Sequence, residues 1–248
     1  MLHRDDVLAR YAVADRTLPH LRMNFISSLD GSATQGGLSG GLNNADDKLV
    51  FDTLRMLSDV ILLGAGTLRD EGYGAMRLDD EAVRWRVQHG LAPQPTFALV
   101  SSRLGLPATH PVFADAPVRP LVLTHDAAPP DARDELASVA DVVLVGSGAV
   151  DPWLLRGALE QRGLLQVLCE GGPHLFGTFL AADAVDELCL TLSPVLEGGH
   201  AGRIAVGPEE TPRRMHLASV LQADDMLLLR YLRDPATDAA GSRAATGR

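Results

Sequence analysis

Three short stretches combine residue types that could hold a small anionic ligand. The first is Glu170-Gly171-Gly172-Pro173, which closes the apolar run LLQVLC at 164–169. A carboxylate is followed by two residues without a Cβ and then by a proline suited to a helix's first turn. Backbone N–H groups at a helix start face whatever lies over the strand end, and they attract anions. On spacing alone, an ordinary strand-to-helix turn with a solvated glutamate fits equally well. The second stretch is Gly64-Ala65-Gly66-Thr67, after DVILL, and the third is Gly146-Ser147-Gly148, after DVVLV. None of them matches G-x-G-x-x-G or the P-loop, so the ordinary dinucleotide and nucleotide fingerprints are absent.

The elements that must position these turns follow from the hydrophobic pattern. Buried strands are expected at 21–28, 59–63, 96–101, 120–124, 141–145, 164–169 and 187–193, and helices at 46–59, 79–89, 131–140, 151–162 and 173–182. Asn44 is placed to cap the first of these helices, with Asp46 and Asp47 in its first turn, where negative charge is favoured. The helix at 151–162 is expected to turn Trp153, Leu154, Leu155 and Leu159 inward. Segments 214–222 and 226–233, joined around Asp224-Asp225, read as an antiparallel hairpin. Alternating strands and helices define an α/β fold with a mixed, mainly parallel sheet. Ligands in such a sheet lie outside the carboxyl ends of the strands, where the glycine turns fall. The long loop at 32–44, rich in Gly, Ser and Asn, borders the same region.

Composition narrows the classes. Apolar residues make up 46% of the 248, enough for a sizeable core. A net charge of −10 argues against a general nucleic-acid binder, though local arginines can still hold a small anion. No apolar run is long enough to span a membrane, and MLHRDDVLARYAVADR lacks a signal peptide's apolar core, so a cytoplasmic location is expected. Cys169 and Cys189 sit inside apolar runs and read as core residues, and no metal site is expected. The expected organisation is an N-terminal extension at 1–19, one domain over 20–233 and a disordered tail at 234–248.

Four motifs in order, NFISSLDG (24–31), SDVILLGAGT (58–67), VLCEGGPHLFGTFL (167–180) and VDELCLTLSPVLEGG (185–199), resemble the pyrimidine reductase family of riboflavin biosynthesis, the RibD C-terminal domain. That family belongs to the dihydrofolate-reductase-like superfamily, and the resemblance covers roughly residues 20–232. It implies a three-layer α/β/α fold, and a homodimer. It also implies NADPH-dependent reduction of 5-amino-6-(5-phosphoribosylamino)uracil to the ribitylamino form. No His-x-Glu with Cys-x-x-Cys accompanies it, as a zinc deaminase domain would require, so the chain resembles the stand-alone branch. By the resemblance, Asn43, Asp47, Gly64, Gly66, Thr67, Gly171, Gly172 and Pro173 contact the cofactor. Ser101, Ser102 and Arg103 correspond to the 2′-phosphate site, for which a guanidinium fork is well suited. Asn24, Asp30 and Glu170 fall on the substrate side.

Two departures stand out. Asn24 occupies a position where the family usually carries Lys. After Thr67 the usual pair of acids with Pro and Arg is replaced by Arg69-Asp70-Glu71-Gly72-Tyr73-Gly74. Glu71 matches the first of the two acids, while the second, the family's candidate proton donor, is missing; Glu71 or Asp70 is the candidate to stand in for it, and Glu170 and Asn24 are the other candidate catalytic residues. Arg69 or Arg77 is the candidate for substrate phosphate, and Tyr73 for the ligand ring. A dihydrofolate (pterin) reductase, or a non-catalytic NADP-binding protein on the same fold, is the alternative reading.

Overall fold

In the computed structural model, which describes residues 2–210 and 212–233, the apolar runs become strands of one sheet. They are β1 (His20–Ser28), β2 (Val60–Gly64), β3 (Thr96–Val100), β4 (Leu121–Thr124), β5 (Asp141–Leu144), β6 (Gln166–Cys169), β7 (Glu187–Ser193), β8 (Met215–Ala223) and β9 (Met226–Arg233). Their spatial order is β5-β4-β3-β2-β6-β1-β7-β9-β8. The first seven run parallel, and β9 and β8 add antiparallel at one side. The strand order turns back where β6 inserts between β2 and β1, and the carboxyl ends of these three strands border the crevice expected of such a sheet.

Helices cover both faces. On one, α7 (Pro152–Glu160) and α8 (Pro173–Ala181) bury Leu155, Leu159, Phe176 and Phe179 against Leu21, Met23, Leu62, Val167 and Cys169. On the other, α1 (Arg4–Tyr11) and α2 (Ala45–Leu57) pack Val7, Tyr11, Val50 and Leu54 against Leu168 and Cys189. Farther along that face, α5 (Pro111–Ala114) and α6 (Pro130–Ala137) cover β3 and β4. Val7 and Tyr11 are fully buried, so the stretch set apart as an N-terminal extension contributes to the core. The expected tail at 234–248 lies outside the described residues.

Helix α4 (Asp80–Gln88) falls where the pattern placed it. The four-residue α5 and the six-residue α3 (Ala65–Asp70) are too short to leave a periodic signal in the sequence. Trp153 and Leu154 correct an expectation, being 51% and 58% exposed. Asp151 caps α7 by accepting from the N–H groups of Trp153 and Leu154, and this start turns Leu155, Arg156 and Leu159 to the sheet. The Trp153 indole lies at the surface with its N–H on the Ala182 carbonyl, 2.9 Å away. Both cysteines are buried and unbridged. Among the described residues no helix is long and apolar enough to cross a membrane, and no cluster of potential metal ligands occurs.

Candidate active site

The ends of β2 and β6 are stitched together. Glu170 N–H donates to the Leu62 carbonyl at 3.1 Å, and Gly64 N–H donates to the Gly171 carbonyl at 3.0 Å. Gly64 is also the N-cap of α3, so Thr67 leans over the glycine pair from the helix's first turn. A Cβ on Gly172 would stand 2.4 Å from Thr67 Oγ1, and one on Gly171 would stand 3.1 Å from Thr67 Cγ2. Gly171 also has φ +139°, a conformation side chains resist. The two glycines are thus required by the turn facing them. Gly66, by contrast, has open space where its Cβ would be.

Above these turns lies a cavity of about 440 Å³, bounded by β1, α2, the loop before α2 and the two turns. It gathers Asn24, Asn43, Asp47, Thr67, Glu71, Tyr73, Glu170, Gly171, Gly172 and Pro173 from the sequence-based candidates. Asp70, Phe51 and the loop residues Thr34, Gly37, Ser39 and Gly40 join them. Among the described residues no Lys or Arg side chain lines it.

Helix α2 presents Asp47 and Phe51 to this cavity, and Arg55, four residues beyond Phe51, lies behind the lining against Glu170. The helix begins where the sequence places it, with Asn44 Oδ1 accepting from Asp46 and Asp47 N–H at 2.9 Å each. Arg55 Nε and Nη2 then donate to the two oxygens of Glu170, both at 2.6 Å, a fork-on-fork pair. Arg55 also stacks 4.2 Å over the Phe51 ring. Burial works against the Arg55 charge, but Glu170 overrides it and leaves the guanidinium held above its ordinary pKa. Tyr73 flanks the same pair, its ring 5.8 Å from the guanidinium, and burial pushes its phenol up.

Asp47 is 8% exposed. Its Oδ1 accepts a 2.5 Å hydrogen bond from the Thr191 hydroxyl on β7. Burial raises the carboxyl above its ordinary pKa, and the threonine bond offsets this only in part. Across the cavity Glu71 Oε1 accepts from Ser39 N–H at 2.9 Å, which ties the glycine-bearing loop to the end of α3.

Several expected site residues fall elsewhere. Asp30 is exposed, and its carboxylate is taken by the Ser28 hydroxyl and by Glu197 and Gly198 N–H. These bonds, led by the hydroxyl, lower its pKa to about 2 and tie the loop after β1 to the loop after β7, and Asp30 does not line the cavity. Arg69 is exposed in the last turn of α3 and does not line the cavity. Arg77 is exposed too, with its guanidinium on the Asp115 carbonyl. Ser101 caps its own turn by accepting from Leu104 N–H at 3.0 Å, and Ser102 and Arg103 are exposed beyond it. The parallel pairing of β3 with β2 brings Ser101 to the same sheet edge as Gly64 without placing it in the cavity.

Arg55 and Thr191 were missed. The four-residue spacing Asp47-Phe51-Arg55 was the signal available for the first. Thr191 has none, because its role depends on β7 lying beside β1 opposite α2.

The three-layer sheet with glycine turns at its switch point defines an α/β ligand-binding fold. The chain belongs to the RibD C-terminal domain family, whose match spans residues 19–229. It is 28% identical over 182 residues to the 2,5-diamino-6-ribosylamino-4(3H)-pyrimidinone 5′-phosphate reductase of Archaeoglobus fulgidus, covering 73% of this chain and 83% of that one. It is 29% identical over 184 residues to the riboflavin biosynthesis protein RibD of Mycobacterium tuberculosis, covering 73% of this chain and 44% of that one. Among solved structures, a pyrimidine reductase-like protein from Corynebacterium diphtheriae superposes with a TM-score of 0.82 at 26% identity. That superposition covers 92% of this chain and 98% of the other.

Proposed function

We propose that this protein is an NADPH-dependent reductase of a 5-amino-6-(phosphoribosylamino)pyrimidine in riboflavin biosynthesis, converting the ribosylamino group to ribitylamino. The carrying observation is the cavity itself: paired glycine turns from β2 and β6 on one side, and polar groups of β1 and α2 on the other, in a chain of this family.

The turns fit a nicotinamide cofactor. Open space lies over Gly66, α8 begins at Pro173 directly after the glycine pair, and helix-start N–H groups suit a pyrophosphate. Gly64, Gly66, Thr67, Gly171, Gly172 and Pro173 would hold its central part, and Ser101, Ser102 and Arg103 its 2′-phosphate at the β3 end. The bound cofactor supplies hydride to C1 of the opened sugar. What the chain must add is orientation and exclusion of water. Asn24 offers an amide to the substrate from the cavity floor. Arg55 fixes Glu170 at the β6 end, and the Glu71 tie to Ser39 keeps the loop over the cavity.

The reading extends to a homodimer in the cytoplasm. The exposed apolar side chains of Leu217 and Val220 on the outermost strand, β8, support the first, and two unbridged cysteines support the second.

The test is oxidation of NADPH at 340 nm by the purified protein with the phosphoribosylaminopyrimidine as substrate, with dihydrofolate as control. The reading requires turnover with the former. Turnover with dihydrofolate alone would replace it.

A further inference from the structure

Opening the sugar needs a proton. In a ribosylamino group C1 carries both the amine nitrogen and the ring oxygen, and delivery of hydride to C1 requires the C1–O bond to break. The departing oxygen is a poor leaving group unless an acid meets it. The carboxylates lining the cavity are Asp47, Asp70, Glu71 and Glu170. Glu170 has both oxygens on Arg55, Glu71 Oε1 accepts from the Ser39 amide, and Asp47 Oδ1 accepts from Thr191. Asp70 is exposed at the end of α3. The phenol in the same lining is Tyr73, and the chain before it fixes its place. Gly72, at φ +69°, ends α3 in the left-handed conformation, and Tyr73 N–H returns to the Leu68 carbonyl at 3.2 Å, the bond of a Schellman turn. Leu68 is fully buried, and the Tyr73 ring packs into the same apolar cluster. The charges that bear on its oxygen are those of Glu170, Arg55 and Glu71, all at the cavity. Burial, and then the Glu170 charge, push the phenol well above its ordinary pKa and keep its proton in place at neutral pH, while the Arg55 charge favours the phenolate.

We propose that Tyr73 is the general acid of the reduction, its O–H donating to the ring oxygen of the ribosylamino group as the sugar opens. The proposal rests on the reductase reading above and deepens it. The C1–O bond breaks with its electron pair going to oxygen, which takes the Tyr73 proton and becomes a hydroxyl. The amine lone pair forms a C1=N bond. C1 then accepts the hydride, and that pair returns to nitrogen. One hydride and one proton are taken up in all, and the phenolate recovers its proton from water. In the interval its charge lies beside the Arg55 guanidinium, 5.8 Å from the ring centre. Glu170 holds that guanidinium in place through its two hydrogen bonds, so one buried pair also positions the group that faces the phenol.

The experiment replaces Tyr73 in the full chain by Phe and, separately, by difluorotyrosine and trifluorotyrosine, which keep the ring and lower the phenol's pKa stepwise. Turnover of the phosphoribosylaminopyrimidine with NADPH is followed across pH, beside NADPH affinity and melting temperature. Tyr73→Phe is expected to lower kcat by roughly 100-fold or more, the scale of a lost general acid, with NADPH affinity and melting temperature unchanged. Each added fluorine should bring an alkaline limb of kcat to lower pH, because an ionised phenol has no proton to give. A Tyr73→Phe variant that keeps its kcat, or raises only KM, overturns the proposal and leaves Tyr73 a packing surface. A pH profile that the fluorines do not move overturns it equally, and the fluorotyrosine series decides alone if Tyr73→Phe does not fold. A wild type that binds NADPH without turning over the phosphoribosylaminopyrimidine overturns the reductase reading and the proposal together, whereas turnover that survives Tyr73→Phe overturns the proposal alone.

Discussion

Glu170 and Arg55, 115 residues apart in sequence, meet through two hydrogen bonds of 2.6 Å at the end of β6. The glutamate side chain is fully buried, so removing its partner leaves an uncompensated charge. Arg55→Met is therefore expected to destabilise the protein by about 3–5 kcal/mol, a range typical of broken buried pairs. Glu170→Gln, which keeps an acceptor for Arg55, should cost less. Urea melts of both variants check this. Equal stability of wild type and Arg55→Met would show that the pair is not a structural clamp.

The glycine pair makes a steric prediction. Gly172→Ala should lower the melting temperature and weaken NADPH binding, because its Cβ meets Thr67 Oγ1. Thr67→Ala in the same chain removes that atom and should recover much of the stability, a coupling visible in a double-mutant cycle. Gly66→Ala meets nothing within 4 Å and should leave stability unchanged. A fluorescence titration in which Gly66→Ala loses NADPH affinity while retaining its melting temperature would place the cofactor over that turn.

How much of this was legible beforehand follows from range. Strand positions, the Asn44 cap and the glycine turns are set by local pattern and steric need, and they could be read directly. The pairing of Glu170 with Arg55, and of Asp47 with Thr191, depends on which strands lie beside β1, which no local spacing encodes. Asp30 follows the same rule: it belongs to a motif carried by the resemblance, but besides the neighbouring Ser28 its carboxylate takes the amides of Glu197 and Gly198, a pairing across more than 160 residues that no local spacing encodes. Trp153 and Leu154 misled because successive helical residues are about 100° apart, so the face that buries Leu155 and Leu159 turns their two preceding neighbours away from the sheet.

Two buried carboxyls should drive stability in opposite directions with pH. The Asp47 pKa is raised above 3.8, so the folded state favours its protonated form. Its contribution is intact below that value and lost as pH rises through the folded pKa. Asp47→Asn should thus melt higher than wild type at neutral pH, with the gap closing in acid. Glu187 is buried too, and burial alone would raise it. Arg22, His20 and Arg230 override this and hold it well below 4.5. Its contribution is present above 4.5 and lost as pH falls through the folded value, so Glu187→Gln should be the less stable protein at neutral pH. Thermal melts from pH 3 to 8 test both signs, and an Asp47→Asn variant less stable than wild type at neutral pH would contradict the first.

Glu71 holds the Ser39 amide across the cavity, between Gly36-Gly37 and Gly40-Gly41. Glu71→Ala should release this loop. Amide exchange at 36–41 is expected to quicken, and KM for the pyrimidine should rise several-fold, an effect of the order of one charge-assisted hydrogen bond. Unchanged exchange with a collapse in kcat alone would instead make Glu71 a direct participant in proton transfer.

The most direct test of the reductase assignment follows the hydride. The protein is incubated with NADPH carrying deuterium on the transferring face of C4 and with the phosphoribosylaminopyrimidine, and the product is examined by mass spectrometry and NMR. The structure predicts a ribitylamino product one mass unit heavier than with unlabelled cofactor, with the deuterium on C1 of the ribityl chain. NADPH bound in the cleft with no deuterium transferred to that carbon would contradict it.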